Sequence, residues 1–142
     1  MLRKIVLVLF VLVARAEALG RGQVLIGDRA VVIVEVARTD EEKARGLSGR
    51  EILPQGHGML FVYEAPTRPT IWMQGMRFPL DILWIKGGRV VDFVMGANPP
   101  SRGELPLMFI PRQEAEYVLE VPAGFVERLG VSINDPVRIL LE

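Results

Sequence analysis

The sequence predicts a mainly β (α+β) fold, a compact antiparallel β-sandwich or barrel-like domain with one or two short helices. Three observations carry this expectation. Short apolar, β-branched runs recur along the chain, with turn signals spaced about 8–12 residues apart. Two joints between runs are minimal: Gly27-Asp28-Arg29 separates Gln23–Ile26 from Ala30–Val36, and Gly87-Gly88 separates Asp81–Lys86 from Arg89–Met95. Only two stretches carry helix signals, and both are short.

The remaining elements follow in order. Thr39 and Glu42 have capping-box spacing, and Asp40, Glu41 and Glu42 favour the positive end of a helix dipole. Gly46 stops that helix, so it covers Asp40–Arg45. Leu47–Gly58 reads as a loop punctuated by Gly49, Pro54 and Gly56. Met59–Tyr63 is a strand, Glu64–Pro69 a turn with two prolines, and Thr70–Met73 a further strand. A second long loop, Gly96–Pro106, contains Asn98-Pro99-Pro100. Leu107–Ile110, Glu116–Val121 and Pro136–Leu141 complete the strands, and a helix over Gly124–Leu129 closes at Gly130.

Residues 1–18 have the order of an export signal. Arg3 and Lys4 precede the apolar run Ile5–Val13, and two small-x-small patterns follow, Ala14-Arg15-Ala16 and Ala16-Glu17-Ala18. Cleavage is expected after Ala18, with Ala16 as the alternative. The competing reading is an uncleaved membrane anchor, although the run falls short of the roughly 20 apolar residues that span a bilayer. Residues 19–142 would then form one domain, periplasmic or secreted, with no membrane span left. The full chain carries 17 basic and 17 acidic residues, which gives no electrostatic footprint for nucleic acid. It has no cysteine, which excludes disulfides, thiol chemistry and a thiol-linked lipid anchor.

The densest stretch for function is Trp72–Trp84, which contains both tryptophans and sets Asp81 at the entrance to an apolar run. A carboxylate entering a buried strand needs a partner. Asp81 and Glu120 could converge with an arginine to hold a polar ligand, or act as an acid/base pair. Alternatively Arg45 or Arg50 pairs with Asp81 and locks helix and loop onto the sheet, with Arg50 preferred because it lies in the loop. A sulfur set, Met59, Met73, Met76, Met95 and Met108 with the single histidine His57, offers soft ligands for Cu(I), or ordinary core filler. One histidine and no cysteine cannot make a zinc site. Ser48, Ser101 and Ser132 lie in no nucleophile elbow. Phe61, Tyr63, Trp72, Phe78 and Trp84 are either core or the flat faces of a sugar or peptide groove.

The order of motifs resembles a family known as domain of unknown function 192. Lys43-Ala44-Arg45-Gly46-Leu47 followed by Arg50 is similar to its "RGL…R" element, and Gly58-Met59-Leu60-Phe61 to its "GMLF" strand. Trp72-Met73 and Pro79-Leu80-Asp81-Ile82 resemble its "WMKNT…PLDI" element, with Gln74-Gly75-Met76 in place of the usual Lys-Asn-Thr. Tyr117-Val118-Leu119-Glu120 with Ala123-Gly124 resembles "VLE…AG", and Asn134-Asp135 stands where the family has Gly-Asp. The resemblance runs from Val32 to Leu141. It implies a compact β-rich exported domain and assigns no activity.

The expected function is that of an exported, non-enzymatic ligand-binding or envelope-accessory domain. Its candidate ligand residues are Arg50, Trp72, Gln74, Asp81 and Glu120. The partner would be a small molecule, a glycan or an envelope protein, and no cofactor is expected. Two alternatives stand beside it. One is an enzyme acting on an envelope polymer through Asp81 and Glu120. The other is a copper-handling protein using His57, Met73 and Met76.

Overall fold

The computed structural model describes residues 18–142, so the expected export segment lies outside it except for Ala18. β1 (Gly20–Ile26) and β2 (Ala30–Ala37) form the first hairpin, and α1 (Asp40–Arg45) follows. β3 (His57–Thr67), β4 (Ile71–Trp72), β5 (Leu80–Lys86) and β6 (Arg89–Ala97) come next. β7 (Met108–Phe109), β8 (Ala115–Pro122), α2 (Phe125–Leu129) and β9 (Val137–Leu141) complete the chain. Seven strands make one sheet in the order β6-β5-β8-β3-β2-β1-β9, and β4 pairs with β7 in a small second sheet. β2 and β3 run parallel, and every other strand pair is antiparallel. The parallel pair requires a crossover, and the segment holding α1 supplies it.

The large sheet curls until its two edges meet at one corner. The Val137 N–H donates to the Gly88 carbonyl at 2.8 Å, and the Val90 N–H donates to the Asp135 carbonyl at 3.0 Å. These bonds tie the β5–β6 turn to the start of β9 and leave a half-barrel. Its inner core takes side chains from both edges, including Val90 and Val137, together with Phe125 and Val126 of α2. A second core covers the other face, where Met59, Ile82, Trp84 and Val118 pack under Leu47, Ile71, Met73 and Met76. β5 is therefore buried on both faces from Leu80 to Ile85.

Local signals set the helices. The Thr39 side chain accepts from the Glu42 N–H at 3.1 Å, and the Glu42 carboxylate accepts from the Arg38 N–H at 2.9 Å. α1 spans the expected residues and buries none of them, so it rides on the outside. β3 runs further than expected. It continues through Glu64–Thr67, where a turn was predicted, because a register irregularity between Val62 and Thr67 lets the chain keep company with β8 past Pro66. The tryptophans part company. Trp84 is fully buried, with its indole N–H donating to the Pro69 carbonyl at 2.9 Å, whereas Trp72 is 52% exposed.

Asp81 is fully buried and its partners are backbone groups. One carboxylate oxygen accepts from the Gly96 N–H at 2.9 Å, and the other accepts from the Val126 N–H at 2.8 Å. The carboxylate thus joins β5, the end of β6 and the first turn of α2. This corrects the expected arginine lock. Arg50 pairs with Glu35 instead, because its loop lies against β2 rather than over β5. A second buried carboxylate, Asp92 on β6, accepts the backbone N–H of Arg112 at 2.8 Å and its guanidinium at 2.7 Å. Burial pushes the Asp92 carboxyl up, but these bonds, the Phe93 N–H and the Arg112 charge together hold it below the usual carboxylate range. That pair fastens the chain just after β7 to the large sheet.

Asp81→Asn turns one acceptor into a donor facing a backbone N–H. Hydrogen bonds to a charged group are each worth about 1.5–3 kcal/mol, so the substitution should cost about 3 kcal/mol of stability. Urea denaturation would measure it, and an unchanged midpoint would remove Asp81 from this anchoring role.

Candidate functional site

A pocket of about 270 Å³ opens on the outer face of the sheet. One wall is α1 and the turn after it, from Asp40 to Ser48. The opposite wall is Thr70, Ile71, Trp72, Gln74 and Met76, and Phe61 and Tyr63 of β3 form the back. The two walls are fixed to one another. The Gly49 N–H donates to the Gly75 carbonyl at 2.8 Å, and the Ser48 hydroxyl reaches the Gln74 carbonyl at 3.4 Å. Gly75 has φ +73°, and a Cβ there would lie 3.1 Å from Ser48 Cβ, so glycine is required for this close approach. Gly46 ends α1 at φ +46°, with Phe61 directly behind it.

Glu120 lies at the floor. Its strand neighbours are Met59 on β3 and Ile82 on β5, both completely buried. The residue is only 5% exposed and opens into the pocket. Burial pushes its carboxyl up to about 8, and no donor or cation among the described residues offsets that. At neutral pH the group is therefore mostly a neutral carboxylic acid in an apolar floor, able to give or accept a hydrogen bond. Tyr63 stands in the same pocket, and burial, with a contribution from the Glu120 charge, raises its phenol to about 12. The Lys43 ammonium lies over the Tyr63 ring, 4.1 Å from its centroid.

The family model for the domain of unknown function 192, described as an uncharacterized ACR, matches residues 23–139. The chain belongs to this family. A UPF0127 protein of Thermococcus kodakarensis is 30% identical over 105 residues, which cover 72% of this chain and 61% of that relative. The chain thus spans under two thirds of that relative's length. A solved structure of a proposed transcription regulator from Sinorhizobium meliloti 1021 is 31% identical, with TM-score 0.77 over 86% of this chain and 95% of that one. A protein of unknown function from Novosphingobium aromaticivorans DSM 12444 is 32% identical, with TM-score 0.69 over 83% of each chain.

The motifs of the domain of unknown function 192 divide between two tasks. The Lys43–Leu47 element, Phe61, Trp72 and Glu120 build the pocket. Asp81 and the segment from Ala123 into α2 build the anchor. Of the residues singled out in the sequence, Trp72, Gln74, Glu120, Arg45 and Met76 come together here. Arg50 and Asp81 do not. Arg50 lines neighbouring cavities on the Glu35 side of α1. Asp81 faces the inner core: its strand partner is Val121, whereas Ile82 is the partner of Glu120. Adjacent strand positions point to opposite faces, so the two carboxylates are separated by the sheet. They do not form the convergent pair of the enzyme alternative. His57 is exposed and lines a separate cavity with Ile33, Glu35, Arg50 and Pro54, whose lining holds no methionine. Met73 is fully buried in the outer core. Among the described residues no group of three His, Asp or Glu side chains is placed to hold a metal ion. Asp40 and Lys43 were missed as pocket residues. The only signal for Lys43 was its place in the "RGL" element, next to the helix stop.

Glu120 gives stability a specific pH dependence. Its folded value of about 8 lies above the ordinary carboxylate value of 4.5. Between those limits the folded chain keeps a proton that the unfolded chain has lost, so stability falls as pH rises through the window and levels off above it. Each pH unit there removes about 1.4 kcal/mol. Glu120→Gln should flatten this fall and raise the melting temperature more at pH 8 than at pH 5. Parallel thermal melts would check it, and equal gains at both pH values would contradict it.

Proposed function

We propose that this chain is an exported, non-enzymatic binding domain that takes a small organic ligand in the Glu120 pocket. The observation that carries the reading is a buried carboxyl without a protein partner, open only to a cavity. No fully sealed side-chain polar atom among the described residues is left without a partner, so the Glu120 oxygens are reached from the cavity rather than sealed, and a ligand entering it can hydrogen-bond them. The surroundings support a ligand site. Phe61, Tyr63 and the half-exposed Trp72 give flat apolar faces, and Gln74 and Ser48 give polar edges. The separation of Asp81 from Glu120 favours binding over two-carboxylate hydrolysis. Export rests on the charge, apolar run and small-x-small order of residues 1–18. No helix among the described residues is long and apolar enough to cross a membrane.

The two tryptophans provide the test. Trp72 lines the pocket and Trp84 is sealed in the core, so their indole N–H signals serve as reporter and internal reference. In a fragment-library screen by NMR, binders should move the Trp72 signal and leave Trp84 in place. Trp72→Ala or Glu120→Ala should weaken such binders about tenfold or more, equivalent to 1.4 kcal/mol. Hits that map to the cavities around Arg50, with Trp72 silent, would overturn the reading.

A further inference from the structure

We propose that the ligand of this pocket is a small zwitterion with the head group of an α-amino acid, its ammonium seated on Glu120 and its carboxylate at the Lys43–Arg45 rim. The inference rests on the pocket reading above and adds the ligand's chemical class. Charge is ordered by depth. Glu120, 5% exposed, is the one acidic group at the floor, whereas Asp40 and Arg45 are exposed and Lys43 half-buried at the rim, which leaves the rim net positive; Arg45 also borders the neighbouring cavity that Glu41 and Glu42 line. Arg45 is exposed and makes no ion pair among the described residues.

Each candidate class meets this order differently. A simple anion would meet the rim cations and could accept a hydrogen bond from the protonated Glu120 carboxyl, but it would gain no charge pairing at the floor. A simple amine would find its partner at the floor but would pass two cations to reach it. A neutral sugar would use neither charge. A zwitterion entering ammonium first satisfies both ends. The walls also suit an ammonium group, since Phe61, Tyr63 and Trp72 are among the residues that line the pocket with Glu120. Cations are attracted to such ring faces, and Lys43 already uses one face of Tyr63 in this way. The thioether of Met76 and the side chain of Ile71 leave room for an apolar ligand side chain. The volume of about 270 Å³ lies just under the usual range for drug-sized ligands, about 300–1,000 Å³, and so favours a compact molecule.

Proton linkage supports the assignment. A carboxyl held neutral by burial ionises when an ammonium group docks beside it, so binding releases a proton near neutral pH. The other titratable and charged groups that share the pocket are Asp40, Lys43 and Arg45 from α1 and its end, and Tyr63 from β3.

The experiment compares four probes: L-leucine, 4-methylpentanoate (no ammonium), isopentylamine (no carboxylate) and N-acetylglucosamine (neutral). Titration calorimetry gives affinity and proton release, and the Trp72 indole signal reports the place of binding. L-leucine should bind at Trp72 with release of a proton at pH 7. Removing the ammonium should weaken binding about a hundredfold, as for a desolvated charge pair. Removing the carboxylate should weaken it severalfold, because the rim is open to solvent. Glu120→Gln should abolish the preference for the ammonium, and an unmoved Trp84 signal would verify that this variant is folded. Equal binding of 4-methylpentanoate and L-leucine would overturn the inference. So would binding of N-acetylglucosamine at Trp72 without binding of L-leucine, an outcome that leaves the pocket itself in place. Silence of Trp72 toward all four probes would overturn the zwitterion assignment, and only silence across the wider fragment library would overturn the pocket as well.

Discussion

β5 and β8 lie side by side inside the large sheet, with β5 covered on both faces from Leu80 to Ile85 and β8 from Val118 to Pro122. A strand in that position has no solvent side on which to place a polar group. Each carboxylate it carries must take backbone donors, pair with a cation, or open onto a cavity. Asp81 takes the first course and Glu120 the last. The two are one register step apart, Asp81 opposite Val121 and Ile82 opposite Glu120, yet they serve opposite sides of the molecule. On the inner side the carboxylate holds α2 in the mouth of the half-barrel. On the outer side it makes the floor of a pocket.

Three charged residues are buried in the described chain: Asp81, Asp92 and Glu120. The first two are fully engaged by protein donors and do mechanical work. Asp81 draws the end of β6 and the start of α2 to β5. Asp92 and Arg112 hold the chain after β7, and through the β4–β7 pairing they steady Trp72 at the pocket wall. Glu120 belongs to the same structural class of buried acid but lacks the donors. That contrast within one sheet singles it out.

Much of the fold was legible because its signals are local. Thr39, Glu42 and Gly46 set α1 without help from the rest of the chain, and Gly87-Gly88 sets the tightest hairpin. Turn signals also located most strands. The sequence misled where the outcome depends on distant pairing. Pro66 reads as a turn, yet β3 continues past it because β8 lies alongside. The partner of Asp81 could not be read from spacing, since the donors are backbone N–H groups at Gly96 and Val126, which carry no side-chain signature. Nor could the faces of Asp81 and Glu120 be told apart. Alternation reveals a strand's inner face only when its other face is polar; β5 is apolar on both, whereas in β8 Glu116 and Glu120 share the outer face with Val118. Trp72, Gln74 and Glu120 emerged as candidates from their motifs, whereas Arg50 was drawn to Glu35 by a pairing that no motif encodes.

The crossover between the parallel strands β2 and β3 has a consequence for how the pocket comes into being. It carries α1, so one wall is made early in the chain, while the floor waits for β8, more than seventy residues later. Contacts of such sequence separation form late, because the chain entropy of closing long loops must be spent before they return anything. Wall and floor come together only once β8 has paired with β3. A ligand of the proposed kind would therefore favour chains in which the β3–β8 pairing is formed. A ligand at a hundred times its dissociation constant would deepen the native basin by about 2.7 kcal/mol. The ligand proposed for this pocket would then help to complete the late contacts of the fold.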